Sequence, residues 1–186
     1  MALDRWIALI ILMMCMGLLQ AGDHVLCSQS MFGSTIKLIG SDLAKFGVQS
    51  TFVPQTDLGA WRAALRPNTR LLFVETPTNP LLTVVDIAAL AQIAHEAGAL
   101  LVVDNTFLSP VLLRPLEHGA DLVLQTTTKW VSGHGDALGG IAAGSKALVD
   151  PIRRQTDLLG GAASRAPSDV YHGIAGHLNR AEHEQE

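Results

Sequence analysis

Between residues 23 and 144 short apolar runs alternate with segments of helical pattern, and that alternation constrains the fold more than anything else in the chain. His24–Ser28, Val48–Val53, Arg70–Glu75, Ala99–Val103, Leu122–Leu124 and Ile141–Ala143 read as strands. Helical stretches separate them. One runs through Leu43-Ala-Lys-Phe46 and stops at Gly47. A second, Leu58–Leu65, is capped by Asp57 and ended by Arg66-Pro67. The most amphipathic, Ile87–Ala97, is capped by Asp86 and closed by Gly98. A short helix at Pro115–His118 ends at Gly119, and Leu148–Leu159 reads as the last helix. Strands separated by helices at this spacing form βαβ units with right-handed crossovers. Ala99–Val103 carries no polar residue, as suits a strand covered on both faces. The reading is therefore an α/β domain, a mostly parallel sheet with helices on both faces. No internal repeat or linker divides it.

The two ends differ from this core. Trp6–Leu19 is apolar without a break, but at 14 residues it falls short of the roughly 20 needed to span a bilayer. Asp4 beside Arg5 and the poor cleavage site Gln20-Ala21-Gly22 argue against a secretory signal. The expectation is a helix buried on all sides, with no membrane contact. Arg165–Glu186 is polar and without sustained apolar periodicity, so residues 1–164 are expected to form the domain and 165–186 a divergent tail. A net charge of −4 with scattered basic residues gives no nucleic-acid footprint. Two cysteines, Cys15 and Cys27, make no disulfide framework, which suits a reducing, cytoplasmic setting.

Three strands finish on polar residues. Glu75 has Asn79 just beyond it, Asp104 is followed by Asn105 and Thr106, and Leu122–Leu124 leads to Thr126, Thr127, Thr128 and Lys129. Singly, each has an ordinary structural reading: a surface charge, a turn, a solvated loop cation. Together they stand at one edge of one sheet, and open α/β sheets bind ligands beyond the carboxyl ends of their strands. A partly desolvated lysine there, its pKa lowered, can form a Schiff base with a carbonyl. Nearby hydroxyls can hold a phosphate, and Gly133, Gly135, Gly139 and Gly140 let the chain turn tightly. Pyridoxal phosphate offers both an aldehyde and a phosphate. A carboxylate facing its pyridinium nitrogen keeps the ring an electron sink, and Asp104, ending the dry strand, is the candidate for that partner. Other motifs fail. Gly133-His-Gly-Asp-Ala-Leu-Gly-Gly140 follows a lysine loop rather than opening a helix after a strand, so it is no dinucleotide fingerprint. His172, His177 and His183 are too loosely spaced for a metal site, and His134 reads as a loop residue.

The segments Gly22-Asp-His-Val-Leu-Cys, Phe32-Gly-Ser-Thr, Glu75-Thr-Pro-Thr-Asn-Pro-Leu-Leu, Val103-Asp-Asn-Thr-Phe, Arg114-Pro-Leu-Glu-His-Gly-Ala-Asp and Thr126-Thr-Thr-Lys-Trp resemble the Cys/Met-metabolism family of pyridoxal-phosphate enzymes. The resemblance runs from about residue 7 to Ser164. It implies the large domain of fold-type I, aspartate aminotransferase-like enzymes, and a trans-sulfuration reaction in which cysteine or sulfide adds to an activated homoserine. Methionine γ-lyase and cystathionine lyase chemistry are the alternatives within the family. It further implies Lys129 as the Schiff-base lysine, Asp104 as pyridinium partner, and Thr126 and Thr128 as phosphate contacts. Asn79 is implied as the partner of the phenolic oxygen, and Phe32 as the stacking aromatic where many members have tyrosine. Glu75 joins the cofactor-binding set. The wording at Phe32 is nearest to O-succinylhomoserine sulfhydrylases, while Gly133-His-Gly-Asp136 is nearer to the γ-synthases and γ-lyases. Amino-acid substrates and a homo-oligomeric full-length protein follow from the same resemblance.

The departures carry expectations too. Family members are about twice this length, so the chain reads as a fragment without the N-terminal arm and the C-terminal domain that holds the substrate carboxylate. Where the family opens its first helix with a small-Gly-Met step, whose amides cradle the phosphate, this chain has Trp6-Ile7-Ala8. Little or no turnover by the chain alone is expected on that ground, and a non-catalytic association module is the competing reading from another class.

Overall fold

The computed structural model describes residues 5–131, 133 and 139–159. The tail expected from residue 165 on, with His172, His177 and His183, lies outside them, as do His134, Gly135 and Asp136. Six strands form one sheet: β1 (His24–Ser28), β2 (Gln49–Val53), β3 (Thr69–Glu75), β4 (Leu100–Asp104), β5 (Leu122–Thr126) and β6 (Gly140–Gly144), in the order β2-β1-β3-β4-β5-β6. The first five are parallel. β6 alone runs antiparallel, pairing Thr126 with Gly140 and Leu122 with Gly144. Every strand read from the sequence is present within one or two residues of its expected ends.

Helices cover both faces, as expected. The strand periodicity of two sorts the side chains. Val25, Cys27, Leu71, Phe73, Val102, Leu122 and Leu124 point to α1 (Arg5–Leu18), α2 (Gly33–Lys37) and α6 (Lys146–Leu158). Leu26, Leu72, Val74, Leu101 and Val103 point to α3 (Leu58–Ala63) and α4 (Ile87–Glu96). A fully buried Leu, Val or Phe contributes roughly 1.5–3 kcal/mol, so both layers are needed to hold β3 and β4 dry.

Asp57 and Asp86 do cap their helices, each accepting from the N–H three residues on. Three expectations need correction. The helix through Phe46 is broken: α2 ends at Lys37, a wide π-type turn covers Leu38–Asp42, and a 3-10 turn covers Leu43–Phe46 before Gly47 turns left-handed at φ 82°. Gly40 and Ser41 are weak helix formers, and a Cβ at Gly40 would sit 3.2 Å from the Phe52 ring, so the segment is shaped by that contact. A short helix, α5 (Ser109–Leu112), was absent from the sequence reading. α1 is not buried on all sides. Ile7, Ile11, Met13, Met14 and Cys15 are buried, but Met16 is 41% exposed, because the helix lies on one face of the sheet beside α6 and keeps an outer edge. Among the described residues no helix is long and apolar enough to cross a membrane.

The register decides where the chemistry falls. Residues 71, 73 and 75 of β3, 102 and 104 of β4, and 122, 124 and 126 of β5 share one face, the one under α1. Glu75, Asp104 and Thr126 therefore end adjacent strands on the same side of the sheet.

Candidate active site

Glu75, Asp104 and Thr126 line one cavity of about 290 Å3 at the carboxyl edge of the sheet. Ile7 of α1, Phe32 at the start of α2, Asn79, Lys129 and Trp130 complete its walls with Thr106 and Phe107. Of the residues expected to act together, six of seven thus meet around a single space. Thr128 is buried behind it, its hydroxyl 3.1 Å from that of Thr126.

Each acid is held by backbone. Glu75 pairs in register with Asp104 across the parallel ladder. Its Oε2 accepts from Phe32 N–H at 2.7 Å and its Oε1 from Asn79 N–H at 3.1 Å. Burial pushes its pKa up to about 7; the neighbouring Asp104 charge adds to this, and the two N–H bonds oppose it. Asp104, 4% exposed, accepts from Thr106 N–H at 3.0 Å, and burial pushes its pKa to about 6 against that bond. Both shifts favour the neutral acids, so ionising the pair in this cavity is unfavourable without a cation beside it.

β5 delivers the hydroxyls. Thr126 N–H donates to Thr106 Oγ1 at 3.0 Å, and Thr126 Oγ1 donates to Gly139 O at 3.2 Å. The chain then coils through Thr127–Val131, and Lys129 breaks the helical path with φ −96° and ψ −115°. Lys129 is exposed rather than desolvated, which corrects the sequence expectation: it stands past the end of the strand, where no described element covers it. Asn105, grouped with Asp104 by sequence, turns away; its amide donates to the carbonyls of Ser109 and Leu113 and holds α5.

The turn after β3 is tied down internally. Thr76 N–H donates to Asp104 O at 3.2 Å, Thr78 Oγ1 accepts from Thr83 N–H at 3.0 Å, and both X-Pro bonds, Thr76-Pro77 and Asn79-Pro80, are cis. Sequence reasoning missed Gln55. Its buried amide donates to the carbonyls of Glu75 and Thr83 at 3.0 and 3.1 Å, while its oxygen accepts from Ser28 Oγ at 2.8 Å. A glutamine in a Pro-Gln-Thr turn carries no motif that could have marked it. Ile7, Phe107 and Trp130 stood inside segments the sequence singled out but were given no place in the site, since apolar residues near a ligand look like core.

A mostly parallel sheet with paired helical layers, and a strand-end cavity holding acids, hydroxyls and a lysine, agree with the fold-type I pyridoxal-phosphate architecture that the sequence resemblance implied. A cystathionine gamma-lyase from Lactobacillus plantarum, crystallised with L-serine, superposes with a TM-score of 0.78 at 38% identity, over 82% of this chain and 40% of that one. The profile of the Cys/Met metabolism PLP-dependent enzymes matches residues 8–179, and the chain belongs to that family. It is 54% identical to O-succinylhomoserine sulfhydrylase of Pseudomonas aeruginosa over 134 residues, which is 72% of this chain and 33% of the relative. It is 48% identical to L-methionine gamma-lyase of Pseudomonas putida over 138 residues, 74% of this chain and 35% of the relative. The chain thus spans about a third of the length of these curated relatives.

Proposed function

We propose that this chain supplies the cofactor end of a trans-sulfuration enzyme of methionine and cysteine metabolism, one that adds sulfide or cysteine to an activated homoserine. The observation that carries the reading is the convergence of Glu75, Asp104, Thr126 and Lys129, from three strand ends, on one cavity. The donor set fits pyridoxal phosphate: an amine for the aldehyde, a buried carboxylate for the ring nitrogen and hydroxyls for the phosphate. Bound there, the cofactor supplies an electron sink for carbanionic charge at the substrate.

The chain's own residues divide the work. Lys129 would hold the cofactor at its aldehyde carbon, and its amine would serve as the proton-moving group beside the substrate. Asp104 would orient the ring and keep its nitrogen protonated, since a cation beside this buried carboxyl would offset its desolvation. Thr126 and Thr128, whose hydroxyls are 3.1 Å apart, would supply hydroxyl contacts to the phosphate. Phe32 would face the ring and Asn79 would donate to the phenolic oxygen, as both line the cavity. Ile7 and Phe107 exclude water from one wall.

A second reading, a C–S lyase, has support in the relatives themselves, since a methionine gamma-lyase and a cystathionine beta-lyase match at 48% and 45% identity. The third, a non-catalytic association module, draws on the exposure of Lys129 and on Ile7 standing at the helix start. Titrating the purified chain with pyridoxal phosphate separates the third from the others. A visible absorbance band present in the chain and lost in Lys129→Ala supports the enzyme reading, and no band in the unaltered chain sinks it. Sulfide-dependent consumption of O-succinyl- or O-acetylhomoserine then marks replacement, whereas keto-acid release without sulfide marks the lyase.

A further inference from the structure

Glu75 lines the cavity, yet both of its oxygens are bonded to backbone rather than left open to a ligand. One holds Phe32, 43 residues earlier in the chain; the other holds Asn79 in the turn after β3. These are two walls of the cavity, and neither residue belongs to a strand that could fix it through the sheet ladder. The end of β3 is itself anchored from behind by Gln55, which bonds the Glu75 carbonyl, the Thr83 carbonyl and Ser28.

We propose that Glu75 is a positioning residue: its carboxylate ties the Phe32 wall to the Asn79 wall and so sets the width of the cofactor cavity, with Gln55 anchoring the strand end from which it acts. This rests on the cofactor reading above, but the tie itself is a property of the chain alone. Only a carboxylate suits the position. It accepts at both oxygens, whereas the isosteric amide accepts at one end and turns donors toward an N–H at the other. The two charge-assisted bonds also explain how an acid is tolerated beside Asp104. The charged groups lining the same space are Asp104, in register on β4, and Lys129.

The test is a pH titration of isotope-labelled chain by NMR, read at the Phe32 and Asn79 amide protons. Both signals are expected to move together with a midpoint near the Glu75 value of about 7, in Glu75→Gln neither moves, and in Asp104→Asn both still move at a lower midpoint. Independently, Glu75→Gln is expected to weaken pyridoxal-phosphate affinity at alkaline pH on the order of tenfold, the loss of one charge-assisted bond, while borohydride still fixes the cofactor to Lys129. Amides that titrate apart in the unaltered chain, or a Glu75→Gln variant that binds as the parent does, overturn the proposal. If the parent takes up no cofactor, the functional reading fails, and the amide titration still decides whether the tie exists.

Discussion

Glu75 and Asp104 stand directly opposite each other at the ends of β3 and β4, two buried acids in register with no cation paired to either among the described residues. Such a pair costs stability whenever both are ionised, and it makes a cavity that favours a cationic ring.

Stability should therefore fall as pH rises through the acid-to-neutral range. The folded pKa values, about 6 and about 7, lie above the ordinary 3.8 and 4.5, so the folded chain binds more protons than the unfolded one between about pH 4 and 7. Asp104→Asn should remove one of these penalties and keep the bond from Thr106 N–H through its amide oxygen. We expect it to raise the stability of the cofactor-free chain at pH 8 by on the order of 1–3 kcal/mol, and to weaken pyridoxal-phosphate binding at the same pH. Urea unfolding at pH 5 and 8 measures the first effect. An Asn variant less stable than the parent at pH 8 would contradict this and show that the Asp104 charge is compensated in the folded chain.

His24 works in the opposite sense. Its ring bridges Thr69 Oγ1 at 2.8 Å and Thr51 Oγ1 at 2.9 Å, tying β1 to β3 and β2. Burial, with the Arg66 charge adding, lowers its pKa from 6.5 to about 4. The unfolded chain takes up this proton first, so its contribution is present above pH 6.5 and is lost as pH falls toward 4. In His24→Gln the stability gained on acidification should be larger than in the parent. Parallel unfolding profiles for the two proteins would contradict this.

Close packing beside the lysine loop gives a prediction from backbone geometry. A Cβ on Gly144, at the end of β6, would lie 2.7 Å from the Asp121 carbonyl oxygen, a backbone atom that cannot swing away. Gly144→Ala should cost on the order of 1–3 kcal/mol and loosen β6, just before which the Gly139 carbonyl accepts from Thr127 N–H. Gly33→Ala meets nothing within 4 Å and should be neutral or slightly stabilising at the first residue of α2. Denaturation midpoints of the two variants are the measurement, and equal midpoints would show that β6 yields more readily than its contacts imply.

Period-two and helical patterning made the sheet legible, because β3, β4 and β5 are buried on both faces and have little alternative. The strand-end acids and the threonine-lysine run were legible only as a group: each alone suits a surface charge or a turn, but three strands closing on polar residues at one sheet edge mark a site. What escaped were features with no periodicity. α5 is four residues long with Pro110 near its start, too short to show a pattern. Gln55 acts through one side chain in a turn, across 20 and 28 residues of sequence, and only the folded chain brings its partners together. The expectation that Lys129 is desolvated failed because sequence reveals where a strand ends, not what covers the residue beyond it.

If Lys129 captures pyridoxal phosphate in the cavity built by three strand ends, it must be the amine that the cofactor modifies. The most direct measurement is borohydride reduction of the chain mixed with the cofactor, followed by peptide mass mapping. One phosphopyridoxyl group is expected on the peptide containing Lys129, absent in Lys129→Ala and reduced in Asp104→Asn. Label spread over other lysines, such as Lys37, Lys45 and Lys146, or undiminished in Lys129→Ala, would contradict it.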